Sequence, residues 1–179
     1  MDRSDAGLIG GRLMRVREAA FAAMAFSLVL TTAPAAQADV NFELNGAYQV
    51  ISNGDWAKTN EVFMDEKTEI SVWTIHSSCA NAHQCSGQVS SDQGWTAPLE
   101  FRTSRWIVDR YHPDWQTCPD GTTSPGRQRY QFQGSDANGQ YEKRNIDLLV
   151  GYVRTIGVSG ACGRNQPTVI QIPLSVRRL

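Results

Sequence analysis

The chain has 179 residues with 17 Lys and Arg against 18 Asp and Glu, a formal charge of −1 at pH 7. Its basic residues are scattered from Lys58 to Arg178, which offers no electrostatic footprint for nucleic acid and no polybasic face for anionic lipid. Setting aside residues 1–38 leaves 13 basic and 15 acidic residues, a formal charge of −2, on a length that suits one ordinary domain.

Arg12, Arg15 and Arg17 precede an uncharged apolar run from Ala19 to Leu30, and Ala36, Gln37 and Ala38 follow it. This pattern predicts a signal peptide over residues 1–38, cleaved after Ala38, and a single secreted β domain over residues 39–179. The apolar run is too short for the roughly 20 residues of a membrane-spanning helix, so no membrane span is expected after cleavage. No cysteine stands at the cleavage point for acylation, and no twin arginine precedes the run. Met14 would begin a more ordinary leader than Met1. Export places the protein in the medium or the cell envelope.

In the mature chain, alternation dominates over helical periodicity. Asn53-Gly54-Asp55 marks a first turn, and Trp56–Glu69, rich in Asp, Glu, Lys and Thr, reads as one helical turn or a long loop. Ile70 to Ile75 is apolar in both phases and predicts a strand covered on two sides or tightly curled. After the turn at Asp92-Gln93-Gly94, Ala97, Leu99 and Phe101 alternate with Pro98, Glu100 and Arg102, as a strand with one buried face requires. Pro119-Asp120-Gly121 is the next turn, and Tyr130 and Phe132 form the next alternating run. Asp136-Ala137-Asn138-Gly139 precedes Leu148 to Val153, again apolar in both phases. Ile170, Ile172, Leu174 and Val176 close the series, with Pro173 forcing an edge or a bulge because it has no N–H for a ladder. The sum is about eight strands joined mostly by hairpins, an all-β fold. An antiparallel up-and-down β-barrel, lipocalin-like, or a two-sheet β-sandwich would satisfy it, and sequential hairpins favour the barrel.

Cys79, Cys85, Cys118 and Cys162 all lie in the exported part, so two disulfides are expected. Three pairings are possible. Cys79 with Cys85 would clamp a hairpin, leaving Cys118 with Cys162 to close a loop of about 45 residues.

Candidate chemistry is sparse. His76, Cys79, His83 and Cys85 have a compact metal-ligand spacing, but oxidation would consume the thiols, and no metal or cofactor is expected. Asp109, His112 and Asp114 read as a strand end and turn rather than an acid/base cluster, Ser159 lacks the Gly-x-Ser-x-Gly setting, and Glu61, Asp65, Glu66 and Glu69 read as a solvated acidic face. Five tryptophans are the feature with a functional lean. Trp73 and Trp106 lie inside strand-like runs and belong to the core. Trp56, Trp95 and Trp115 sit in or after turns, where a ring with one polar edge would serve a ligand or a partner.

The strings Ser52 to Phe63 (SNGDWAKTNEVF), Ser91 to Trp95 (SDQGW), Cys118-Pro119-Asp120-Gly121, Pro125-Gly126-Arg127-Gln128 and Gly160-Ala161-Cys162-Gly163 resemble a group of small secreted mycobacterial proteins of uncharacterised function. That resemblance implies an actinobacterial source and export, and carries no catalytic or binding residue. Leu44-Asn45-Gly46-Ala47-Tyr48 resembles the Gly-x-Trp start of lipocalins, with Tyr in place of Trp. The expectation is therefore a secreted, non-enzymatic β-domain that binds an apolar or amphipathic envelope molecule, a lipid or another small apolar ligand, at Trp56, Trp95 and Trp115. The alternative is an extracellular protein–protein interaction module at the envelope or host surface, and the third reading is a hydrolase. Cavity size separates the first two: a filled interior opposes ligand storage, and an exposed apolar patch favours a protein partner.

Overall fold

Period-two alternation of apolar side chains sets the strands, and the turns between them set their order. The structure, a computed structural model, describes residues 42–179; the leader, its start at Met1 or Met14 and its cleavage after Ala38 lie outside the described residues. The strands are β1 (Gly46–Ser52), β2 (Lys58–Thr59), β3 (Val62–Phe63), β4 (Glu69–Asn81), β5 (Gln84–Ser91), β6 (Thr96–Arg102), β7 (Arg105–Thr117), β8 (Thr123–Gly134), β9 (Leu148–Gly157) and β10 (Val169–Arg178). Eight of them, β1 and β4 to β10, form a closed antiparallel barrel in which each pairs with the next in sequence. Closure comes from β10 returning to β1, in register from Tyr48 opposite Arg178 to Ser52 opposite Leu174. The fold is thus the up-and-down barrel rather than the sandwich, and closure satisfies edges that an open sheet would expose.

One phase of each strand fills the interior. Tyr48 and Val50, Trp73 and Ile75, Leu99 and Phe101, Trp106 and Val108, Tyr130 and Phe132, Leu149 and Val153, and Leu174 and Val176 are all buried. Trp73 and Trp106 are core residues, as their strand positions predict. One end is plugged by the segment entering β1. Phe42 packs 5.1 Å from Phe101 and 6.4 Å from Trp106, centroid to centroid, and the Leu44 N–H donates to Ser77 Oγ at 2.8 Å.

Three sequence expectations change. Ile70–Ile75 is not covered on both faces: Ile70 and Val72 point outward and are exposed while Trp73 and Ile75 point in, because a closed barrel offers a strand only one buried side. Leu148–Val153 keeps the same rule, with Leu149 and Val153 buried and their neighbours only half-buried. Trp56–Glu69 is neither a plain loop nor a helical turn within its own bounds. A 3-10 turn spans Gly54–Trp56, capped by Asn53 Oδ1 accepting from the Asp55 N–H, and a two-residue hairpin of β2 and β3 follows, docked on β10 through Thr59 opposite Ile170.

Pro173 stands where the β10 edge passes from β1 to β2, and its carbonyl accepts from the Asn53 N–H at 2.9 Å. The N and C=O of one strand residue face the same edge, so its missing donor falls in the gap between two partners. Both disulfides pair as the spacing favours. Cys79–Cys85 joins directly opposed residues of β4 and β5, and Cys118–Cys162 ties the β7–β8 turn to the connection between β9 and β10.

Candidate functional site

The three tryptophans outside the main core occupy three different places. Trp56 stands on the β2–β3 flap and is 64% exposed. Trp95, between β5 and β6, sets its edge against Trp73 at 5.3 Å and stacks on Tyr130 at 5.8 Å, with the Arg110 guanidinium 4.5 Å from its ring. Trp115 reaches the barrel end because the β7–β8 register shifts between His112 and Gln116, and such a bulge re-aims the side chains beyond it. Its indole lies against Gly126 and Gly157, where a β-carbon would come within 2.8 Å and 2.9 Å of the ring. Only glycine at both positions leaves room for it.

The end opposite Phe42 is open. The β6–β7 ladder stops at Leu99 opposite Val108, whereas β7 and β8 stay paired to Thr117 opposite Thr123. The long β7–β8 hairpin therefore rises past β6 and leaves a side opening of about 480 Å³, lined by Trp95, Pro98, Arg110 and His112 among others. It leads to a more enclosed cavity of about 200 Å³ walled by Arg110, His112, Trp115, Gln128, Tyr130 and Thr155. Inside it the Tyr130 hydroxyl donates to Gln128 Oε1 at 2.8 Å, and Gln128 Nε2 donates to Thr155 Oγ1 at 3.1 Å. Burial raises the Tyr130 phenol above its ordinary pKa and keeps it protonated. Burial also lowers Arg110, and lowers His112 with help from the Arg110 charge against the opposing pull of Glu69 and Asp114. The ion pairs among the described residues do not include Arg110. His112 Nδ1 and the indole Nε1 of Trp95 and of Trp73 are buried without a hydrogen-bond partner among those residues.

A second concave surface lies outside the barrel wall. Tyr111, Arg127, Arg129, Tyr152, Arg154 and Ile156 line a groove of about 750 Å³ across β7, β8 and β9. Arg129 grips Asp109 through Nε and a terminal nitrogen at 2.6 Å and 2.8 Å, and Arg154 lies 4.0 Å from Glu61. Tyr152 also borders a neighbouring depression formed with Trp56, Lys58, Phe63 and Pro173. Trp56, Phe63 and Tyr111 stand out from this face with about two-thirds of their surface exposed.

The other candidates separate. Asp109 is held by Arg129 on the outside, His112 points inward, and Asp114 accepts from the Thr123 hydroxyl at 2.7 Å. Ser159 donates to the Asn165 carbonyl in a loop. The Cys79–Cys85 bond uses the two sulfurs that a zinc site with His76 and His83 would need. The sequence marks Tyr130 only as a core position of an alternating run and Arg110 only as a neighbour of Asp109 and His112, and it does not mark Gln128 or Thr155 as site residues. Their signal was there: Arg110 and His112 continue the inward phase of Trp106 and Val108, so polar residues enter a phase that is otherwise apolar.

Fold and site together define a disulfide-clamped, eight-stranded up-and-down β-domain with one plugged end and one polar mouth. No family model matches the sequence, and no curated relative matches it. Among solved structures it is similar to the monomer form of the M. tuberculosis PknI sensor domain, with a TM-score of 0.53 and 15% sequence identity, covering 76% of this chain and 88% of that one. Likeness at that identity shows the fold alone. The two disulfides are consistent with an extracellular location.

Proposed function

We propose that this chain is a secreted, non-enzymatic interaction module that binds a protein partner at the cell envelope or host surface, through the outer face of β8 and β9 and the adjoining β2–β3 flap. The observation that carries the reading is an exposed aromatic and arginine-rich groove beside an interior too small to hold a lipid. The enclosed space of about 200 Å³ is too small to store a lipid chain. Tyr, Trp, Phe and Arg are the residues that protein interfaces concentrate at their centres. Likeness to a sensor domain supports recognition over catalysis.

Charge selects the partner's chemistry. Arg127, Arg129 and Arg154 face Asp109 in the groove of a chain whose overall charge is −1, so the positive potential is local. An acidic protein surface carrying an apolar anchor complements it. The test is site-specific photo-crosslinking from position 152 in β9, with position 88 on the far side in β5 as the control, on intact cells and envelope fractions. The expected result is one dominant protein adduct at position 152, absent at position 88 and lost when Arg127 and Arg154 are changed to Glu. Equal adducts at both positions, or a lipid retained reproducibly in native mass spectrometry, would overturn the reading.

A further inference from the structure

The open mouth carries polar groups that the described residues leave unpaired. Arg110 brings a half-buried guanidinium that makes no ion pair with a described residue, and its Cζ sits 4.5 Å from the centroid of the Trp95 ring. The indole N–H of Trp95 and Nδ1 of His112 are buried and unpartnered among the described residues. The relay from Tyr130 through Gln128 to Thr155 runs in one direction, so it ends with the Thr155 hydroxyl hydrogen free to donate. The Arg110 guanidinium and the Thr155 hydroxyl are donors that an acceptor-rich group entering the mouth would pair.

We propose that the mouth between β6 and β7 is a binding site for a small monocarboxylate with an apolar or aromatic tail. A planar guanidinium matches the two oxygens of a carboxylate. Trp95, Trp115, Tyr130, Val153 and Ile172 supply the apolar walls for the tail, and the cavity of about 200 Å³ limits its size. The rim selects a single charge. Glu66, Lys67 and Glu69 line the same cavity, and Glu66 accepts from the Thr59 hydroxyl, so two carboxylates stand against a highly charged anion. Pro98 and Pro113, both at the side opening, lack the N–H that an incoming β-strand would need, which favours a small molecule over an added peptide strand. The mouth shares Arg110 and Gln128 with the lining of the outer groove, and the two assignments are tested by different readouts, benzoate binding here and crosslinking there.

The probe is benzoate, titrated into the full secreted chain by calorimetry and tryptophan fluorescence, with benzamide as its neutral isostere and inorganic phosphate as a dianion. One saturable site is expected for benzoate, at least about tenfold tighter than for benzamide. Arg110→Gln should remove that preference, bringing benzoate down to the level of benzamide. Should that variant fail to fold, Arg110→Lys keeps the charge without the fork and should weaken benzoate severalfold. Benzamide binding as well as benzoate, phosphate binding more tightly than benzoate, or no benzoate heat and no fluorescence change up to about 10 mM would each overturn the proposal.

Discussion

His112 shows how one side chain couples the mouth to stability. Its surroundings lower its pKa, chiefly through burial and then through Arg110, with Glu69 and Asp114 opposing. The unfolded chain therefore takes up the proton first as pH falls below about 6.5, and stability is lost from there down to the folded value. His112→Gln should flatten this part of the profile, so that urea midpoints at pH 7.5 and pH 5 differ less in the variant than in the parent. A slope unchanged by the substitution would assign the effect to other groups. Thr103 and Ser104 present a second residue-scale case. They join β6 to β7 with φ of 52° and 63°, a two-residue turn that normally takes Asn or Gly. Ser104→Gly should raise stability by about 0.5–1 kcal/mol, read from chemical denaturation, because glycine adopts this conformation without steric cost. This turn has no Gly, Pro, Asn or Asp to announce it. The hairpin was legible only from the alternating strands on either side.

Single strands here are held by devices of different reach. The Cys118–Cys162 bridge spans 44 residues and Cys79–Cys85 spans 6. On loop-closure entropy, replacing the first pair by Ala should cost about 4 kcal/mol and the second about 2 kcal/mol, a ranking that paired denaturation curves would check. The positions of β7 and β8 past β6 depend instead on the bulge at His112–Gln116 and on the glycines beneath Trp115. Gly157→Ala should displace the indole, cost about 1–3 kcal/mol and shift tryptophan emission to longer wavelength. An unshifted emission would mean that the ring does not rest there. Trp115 was visible in the sequence as an aromatic near a turn, but a register shift between two strands leaves no mark on either strand alone.

At the scale of the molecule, closure is the decisive step. β10 completes the barrel by pairing with both β9 and β1, and the Leu179 N–H donates to the Ala47 carbonyl beyond the last pair. A chain truncated after Gly157 should lose the seam, expose the edges of β1 and β9, and aggregate rather than form a smaller barrel; a soluble, cooperatively unfolding truncate would contradict this. The same closure explains the outer groove. With the inward positions given to the apolar core and, at the open end, to the polar mouth, Trp56, Phe63 and Tyr111 stand on the outside, where the arginines of β8 and β9 accompany them.

The sequence by itself determined the all-β class, the near-sequential hairpins, the two disulfides from an even set of four cysteines, and the core roles of Trp73 and Trp106. Each of these depends on local alternation, turn chemistry or counting, and alternation is a property of neighbours in the chain. Only the tertiary structure decided that the sheet closes, that Ile70 and Val72 face solvent, and that Trp95 and Trp115 border the open mouth while Trp56 stands outside it. Only it brought Arg110, Gln128 and Thr155 together from three strands. Inward phase can be read along one strand, but which inward positions meet across the barrel depends on register and on where each ladder ends, and those are set by pairing between segments distant in the chain.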